Sequence, residues 1–283
     1  MTIEPWAVGV LLLAALTHAL WNAVVKSSGD RLFALTTIMA AGGAICAPLL
    51  FVTEPPAPES WPFLAASVVV HLVYYLGLSW AYAHGDLSTA YPVARGAAPL
   101  MVAIGAAVFA GQILSPVAST GIVVTSVGIS MFAFENGLPR RATYKPFLSA
   151  FFVSTMIATY TVIDGMGLRR TPDPLAYIAW LFVIDAIPLF VWALVVRHRA
   201  YVEHLRTNWR REVVGGALSV IAYGMVLYIL SFSGMAMVSA LRETSVLFAV
   251  AIGAIRLKET FGAYRWIAAF VVTAGIIVMN VGG

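Results

Sequence analysis

The chain has 283 residues, of which 61% are hydrophobic and only 11% are charged. A soluble domain carries about 25% charged residues, so this composition excludes a soluble enzyme, a disordered chain and a nucleic-acid-binding protein. The formal net charge of +4 does not indicate nucleic acid, because cationic cytoplasmic loops are ordinary in membrane proteins. We therefore expect an integral membrane protein whose function lies within the bilayer.

Ten apolar runs are long enough to cross a bilayer. Each is predicted to be a helix, because lipid offers no other partner for the backbone donors and acceptors. The first run has no cationic residue before it, so we expect a retained span rather than a cleaved signal peptide. In chain order the runs are residues 5–25, 32–52, 61–83, 88–110, 115–134, 146–166, 174–196, 213–232, 235–255 and 261–280.

A polar segment at 135–145 divides the ten runs into five and five. We therefore expect a first five-helix repeat at 1–134, a linker at 135–145 and a second five-helix repeat at 146–283. A longer polar segment at 197–212 is predicted to be a cationic loop, with or without a short surface helix.

The lysines and arginines concentrate in alternate loops. The odd-numbered loops hold thirteen of them, whereas the even-numbered loops hold only Arg169 and Arg170. The positive-inside rule then places the odd-numbered loops in the cytoplasm and both termini outside.

The two halves of the chain share a short internal similarity. Segments beginning at Arg95 and Arg242 are alike at an offset of 147 residues (242 − 95), and the same offset pairs Gln112 with Glu259. A repeat with an odd number of helices must insert its second copy upside down, which is the architecture of many secondary transporters. We therefore expect Arg95 and Arg242 on opposite sides of the membrane midplane.

Three segments carry a family resemblance: HALWN at 18–22, GDLSTAYPVARG at 85–96 and LRETSVLFAVAIGAIRLKE at 241–259. With them the chain resembles the EamA-type, ten-helix transporters of the drug/metabolite transporter superfamily over essentially its whole length. The resemblance implies secondary-active transport by alternating access through a central cavity between the repeats. The implied substrate is a small polar or amphipathic metabolite: an amino acid, amine, phosphonate or drug-like solute. It also implies a bacterial cytoplasmic (inner) membrane location, with both termini inside, contrary to the charge count.

Ionisable side chains inside a bilayer are costly, so each is a functional candidate. Arg95 lies between Pro92 and Pro99, and proline disrupts helices, so we expect a locally broken helix there. Arg95 and Arg242 either bind substrate or hold helices together. Glu243 directly follows Arg242, and because adjacent residues do not face each other on a helix, we expect Glu243 to pair with another helix.

Asp185 lies in the middle of its span, and Asp164 lies near the end of another. Both are ion-coupling candidates. Asp185 is either a proton carrier or the partner of one of the two arginines. The charges of Arg95 and Arg242 balance those of Asp185 and Glu243, which permits a zwitterionic substrate or simple internal pairing.

Aromatic and hydrogen-bonding side chains recur at helical spacing, as in His18, Trp21 and Asn22. Such groups suit a small organic solute, including a cation held by ring faces, although aromatic residues also form interfacial belts. The candidate substrate-binding residues are His18, Trp21, Asn22, His71, Tyr74, Tyr75, Tyr91, Arg95, Tyr160, Arg242 and Glu243.

The chain has one cysteine, Cys46, and no metal-ligand pattern, so we expect neither a metal nor another cofactor. The expected partners are a small-molecule substrate, the lipid bilayer and protons as a candidate coupling ion, in a monomer or homodimer. The rival functions are a flippase for lipid-linked substrates, which predicts a laterally open groove, an intramembrane enzyme, and a scaffold without transport.

Overall fold

The helices follow from the lack of water in a bilayer, where each backbone group must find its partner within its own segment. The computed structural model describes the backbone of residues 3–84, 87–134, 144–257 and 262–282, and their side chains except at 79–84, 87–91, 144–147 and 253–257. Within these ranges the chain forms helices and no strands, and ten stretches are long and apolar enough to cross a membrane. The predicted all-α membrane fold with ten spans is thus confirmed.

The described part of the chain contains eleven α-helices and three short 3₁₀ helices. The 3₁₀ helices are Ala47–Phe51, Pro58–Ser60 and Phe132–Phe134. The α-helices are α1 (Pro5–Lys26), α2 (Arg31–Cys46), α3 (Trp61–His84), α4 (Leu87–Ala110), α5 (Pro116–Met131), α6 (Tyr144–Leu168), α7 (Pro174–Val196), α8 (His198–Leu230), α9 (Met235–Glu243), α10 (Ser245–Leu257) and α11 (Ala263–Val281).

Short polar side chains set several helix starts. The Asp30 carboxylate accepts hydrogen bonds from the backbone of α2, and Asp173 does the same for Leu175 at the start of α7. Ser115 caps α5 in the same manner. These side chains satisfy backbone donors that have no partner within the helix. At the end of α4, Gly111 adopts φ +64°, the left-handed conformation that glycine tolerates best.

The prediction of a cationic loop at 197–212 is corrected, because the chain is helical from His198 onward. This helix is continuous with the eighth span and so is longer than the short surface helix that the prediction left open. Helix α8 runs for 33 residues from His198. One face of its first turns packs against α2, where the buried Tyr201 hydroxyl lies 3.2 Å from the Thr37 hydroxyl. The His204 ring also contacts the buried Glu212 carboxylate at 2.8 Å. Tertiary packing therefore extends the helix beyond its apolar part.

The expected break beside Arg95 is also wrong, because α4 continues through Pro92 and Pro99. The corresponding break lies in the ninth span, which is divided at Thr244 into α9 and α10. There the Thr244 N–H donates to the Leu241 carbonyl at 3.2 Å, and the Thr244 hydroxyl donates to the same carbonyl. This side-chain bond competes with the helical backbone pattern, which accounts for the interruption.

Successive spans cross the bundle in alternating directions, so the connections gather at two ends. At the α6–α7 end, the Ser60 hydroxyl donates to the Gly167 carbonyl at 3.0 Å, and Arg169 donates to the Ser233 carbonyl. At the opposite end, here called the α7–α8 end, Ser28 at the close of α1 contacts Glu212 of α8 at 3.4 Å.

The helices pack in pairs that are related by exchanging the two halves of the chain. The α1–α8 pair in one arrangement corresponds to the α6–α3 pair in the other. In the same way, the packing of α4 on α6 corresponds to the packing of α9 and α10 on α1. Helices α2 and α7 form a pair, and so do α5 and α11. In the α5–α11 pair a Cβ atom at Gly275 would lie 2.5 Å from the Thr125 backbone nitrogen, so only glycine permits this approach.

Candidate functional site

A cavity of about 40 Å³ lies among seven helices near the middle of the bundle. A single water needs roughly 10–15 Å³ of such space, so the cavity in this conformation holds a few waters. The residues that line it are His18, Trp21, Met39, His71, Tyr74, Tyr75, Tyr160, Leu181, Phe182, Asp185, Ser219, Tyr223 and Arg242. They come from α1, α2, α3, α6, α7, α8 and α9.

A buried cluster of two arginines and one carboxylate stands at one part of the cavity. Arg95 of α4 donates from Nη1 to Glu243 Oε2 at 2.8 Å. Arg242 donates from Nε and Nη2 to Glu243 Oε1, at 3.1 and 2.9 Å. All three side chains are at most 3% exposed. The cluster therefore joins α4 to α9 and carries one more positive charge than negative.

This cluster agrees with one expectation and corrects another. Glu243 does pair with another helix, through Arg95. It also bonds Arg242, its neighbour in sequence, because both residues form the last turn of α9, where the helix ends. The guanidinium groups of the two arginines meet at one carboxylate, and their placement on opposite sides of the membrane midplane stays a prediction.

His18 extends the cluster toward the cavity. Its Nε2 atom lies 2.7 Å from Arg95 Nη2, and because a guanidinium can only donate, Nε2 is the acceptor. The His18 ring is therefore neutral, with its proton on Nδ1. The ring also stands edge-on to Trp21, with centroids 5.1 Å apart.

The other polar part of the cavity is built around Asp185. The Tyr75 hydroxyl donates to Asp185 Oδ2 at 2.8 Å, and His71 Nδ1 lies 3.7 Å from Asp185 Oδ1. That separation exceeds a hydrogen bond, so both Nδ1 and Oδ1 are buried without a hydrogen-bond partner. Within the described part of the chain, Asp185 bonds Tyr75 and faces His71, while both arginines bond Glu243, so the alternative that Asp185 pairs with Arg95 or Arg242 is wrong.

Aromatic rings connect the two polar parts. The Arg242 guanidinium lies 5.5 Å from the centre of the Tyr160 ring. Tyr160 in turn lies 4.4 Å, centre to centre, from His71, which faces Asp185. The wall between cation and carboxylate is therefore a chain of ring contacts that suits a partly apolar solute.

The structure brings most of the predicted binding residues together. Seven of them line the cavity directly: His18, Trp21, His71, Tyr74, Tyr75, Tyr160 and Arg242. Arg95 and Glu243 stand behind Arg242 in the ion cluster. Asn22 does not line the cavity, and its amide bonds the His18 carbonyl of its own helix at 2.8 Å. The Tyr91 side chain lies outside the described residues.

The two ion-coupling candidates differ in position. Asp185 lines the cavity, whereas Asp164 is fully buried beside it. Asp164 accepts a hydrogen bond at each oxygen, from Tyr177 at 3.0 Å and from Tyr223 at 2.6 Å.

Sequence reasoning missed five lining residues: Met39, Leu181, Phe182, Ser219 and Tyr223. Ser219 and Tyr223 are four apart in the eighth span, so their polar spacing was a usable signal. The three apolar residues carry no such signal, because apolar side chains fill every span.

Groups of three or more metal-ligating side chains are absent from the part of the chain that the structure describes. The cavity instead offers a guanidinium, a carboxylate, an imidazole and phenols. Such side chains can hold a small polar solute through charge and hydrogen bonds.

The fold and the cavity define a multi-pass membrane protein with a polar site among its helices. The family model described as the EamA-like transporter family matches residues 145–281, the second half of the chain. A solved structure titled "Crystal structure of protein" shares the fold, with a TM-score of 0.70 and 16% identity, over 98% of this chain and 96% of the other. No curated protein matches the chain. The second half of the chain thus matches the EamA-like transporter family, which confirms the family resemblance over residues 145–281.

Proposed function

We propose that the protein is a secondary transporter that carries a small polar or amphipathic solute through the central cavity. The observation that carries this proposal is the placement of Arg242 and Asp185 in one cavity lined by aromatic rings. Buried charges in a membrane span are expensive and mark solute or ion pathways. An arginine cluster with one surplus positive charge and an incompletely bonded carboxylate favour a solute that carries both charge signs, such as an amino acid. Amines, phosphonates and drug-like solutes are the other substrate classes that the screen described below should include.

Alternating access is the proposed mechanism, with the two halves as inverted repeats at 1–134 and 146–283. The exchange-related packing pairs, such as α1 with α8 and α6 with α3, support it. Equivalent connections of the two repeats should then open to opposite sides. Cysteines replacing Gly29 and Pro172, in a Cys46→Ala chain, should react with an impermeant maleimide from opposite sides of the membrane. Reaction of both from one side would refute the inversion.

The same labelling orients the protein. The α7–α8 end carries exposed arginines such as Arg199 and Arg210, and we propose that it faces the cytoplasm of a bacterial inner membrane, with both termini outside. The Gly29→Cys site lies at this end and should be protected in intact cells. Labelling of Gly29→Cys by an external reagent would reverse the orientation.

A flippase and an intramembrane enzyme are the rival proposals. A flippase needs a groove open to lipid, whereas this cavity is lined from seven helices. An enzyme needs a nucleophile with an adjacent base, and among the described cavity residues the aliphatic hydroxyl belongs to Ser219, which forms no hydrogen bond with His18, His71 or Asp185. Transport of a free solute is therefore the favoured function.

The first experiment is a thermal-shift screen of the purified protein against amino acids, amines, phosphonates and nucleobases, because a ligand of the folded state raises stability. The best solute is then tested for uptake in proteoliposomes. We expect Arg95→Ala and Arg242→Ala to lower uptake strongly while membrane insertion is kept. Arg199→Ala, at an exposed arginine, is the matched control and should transport normally. Normal transport by both cluster variants would refute the site.

A further inference from the structure

Asp164 lies between the cavity and the α6–α7 end of the bundle. Tyr160, one turn earlier on α6, lines the cavity, whereas Asp164 does not. Asp164 precedes the end of α6 at Leu168 by four residues, and Tyr177 follows the start of α7 at Pro174 by three. The Asp164–Tyr177 contact therefore joins α6 to α7 at a level between the cavity and this end. A solute that left the cavity toward this end would have to pass this level.

One carboxylate ties three helices together at this position. Asp164 Oδ1 accepts from the Tyr177 hydroxyl of α7 at 3.0 Å, and Oδ2 accepts from the Tyr223 hydroxyl of α8 at 2.6 Å. Asp164 and Tyr177 are fully buried. Hydrogen bonds of phenols to a buried carboxylate are stronger than neutral ones, so these contacts hold α6, α7 and α8 together.

The chain packs tightly on the outer side of this contact. A Cβ atom at Gly167 would lie 2.6 Å from the Tyr177 ring. The Ser60 hydroxyl also donates to the Gly167 carbonyl at 3.0 Å. The Tyr177 ring and the segment around Ser60 therefore both pack directly on α6 at Gly167, between Asp164 and the end of this helix.

Tyr223 belongs both to the Asp164 contact and to the cavity. Its hydroxyl bonds Asp164, while its ring lines the cavity and lies 5.8 Å from Tyr160 and 5.7 Å from His71, centre to centre. A solute that moves the Tyr223 ring must also move its hydroxyl relative to Asp164. Occupancy of the cavity and the Tyr223–Asp164 bond are thus mechanically linked.

We propose that Asp164, Tyr177 and Tyr223 form a gate that closes the cavity toward the α6–α7 end, and that Tyr223 links this gate to solute in the cavity. This inference rests on the proposed transport function and assigns Asp164 to gating, whereas Asp185 remains the ion-coupling candidate. The gate opens when the two phenol–carboxylate bonds break and α7 moves away from α6.

The native Cys46 provides a reporter of opening at this end. It closes α2 and is 2% exposed, in the same apolar cluster as Tyr177. Tyr177→Phe and Tyr223→Phe each remove one hydroxyl and keep the ring. We expect Cys46 in either variant to react with a water-soluble maleimide about tenfold faster, since a hydrogen bond to a charged group is lost. Tyr201→Phe is the matched control, because Tyr201 is also a buried tyrosine but bonds Thr37 at the opposite end.

A second reporter measures access to the cavity itself. In a Cys46→Ala chain, Ser219→Cys places the only thiol in the cavity wall, and the two gate variants should accelerate its labelling as well. Asp164→Asn, which keeps the side-chain shape, gives the same test if a phenylalanine variant does not fold. Unchanged rates in folded gate variants would overturn the gate, as would equal acceleration by Tyr201→Phe. Thiol labelling needs no substrate, so failure of the gate is distinct from failure of transport.

Discussion

Glu243 holds the most consequential charge in the described part of the chain, because two buried arginines depend on it. It accepts three N–H bonds, one from Arg95 and two from Arg242. Glu243→Gln keeps the shape but removes the negative charge between two guanidiniums that are 2–3% exposed, so their mutual repulsion is no longer offset by Glu243. Breaking a buried pair in this way costs about 3–5 kcal/mol. That cost is a factor of roughly 10²–10⁴ in the ratio of folded to unfolded protein.

The neighbouring variant Arg95→Met should cost less. It removes the bonds of Arg95 to Glu243 and to His18, but it also removes a buried cation, and Glu243 stays neutralised by Arg242 through two bonds. In the Glu243→Gln background the same substitution removes one of two buried cations that repel each other, so its effect should be smaller than it is alone. The three variants form a double-mutant cycle, in which the double variant should lose less stability than the sum of the losses in the two single variants.

The assay is the temperature at which half of the detergent-purified protein is lost from the monodisperse peak of a gel-filtration column. We expect the order wild type, Arg95→Met, Glu243→Gln from most to least stable. Glu203→Gln, at an exposed ion pair with Arg206, is the charge-matched control and should match wild type. The reasoning would be refuted if Glu243→Gln were as stable as wild type, or more stable than Arg95→Met.

Two further predictions concern coupling and packing. Asp185→Asn removes the only cavity-lining carboxylate of the described chain, so transport should lose its dependence on pH; an unchanged pH profile of proteoliposome uptake would exclude Asp185 as the proton carrier. Gly275→Val should destabilise the α5–α11 pair strongly, because the new Cβ would lie 2.5 Å from the Thr125 backbone nitrogen; equal melting of this variant and of Gly9→Ala, a site with no atom within 4 Å, would contradict the close packing.

The features of this protein that could be predicted from its sequence follow from the physical properties of the lipid bilayer. A bilayer lets only long apolar helices satisfy their backbone groups, so composition and run length were sufficient to predict ten spans. The cost of burying charge likewise directed attention to Arg95, Arg242, Glu243 and Asp185, and all four lie in or beside the cavity. The helical segment 197–212 was missed because its helicity depends on contacts with α2 and α1, such as Tyr201 with Thr37.

Pairing was decided only by the tertiary structure. Sequence spacing predicts which residues share a helix face, but it does not say which faces meet. Helix packing sets how the charges pair. Both arginines bond Glu243, whereas Asp185 contacts Tyr75 and His71. The break at Thr244 also depends on the tertiary structure, because it lies where Arg242 and Glu243 of the ion cluster form the end of α9. The sequence by itself determined that the protein spans a membrane and that a few charged residues lie within its spans. Helix packing determined which of these charges neutralise each other and which face the cavity.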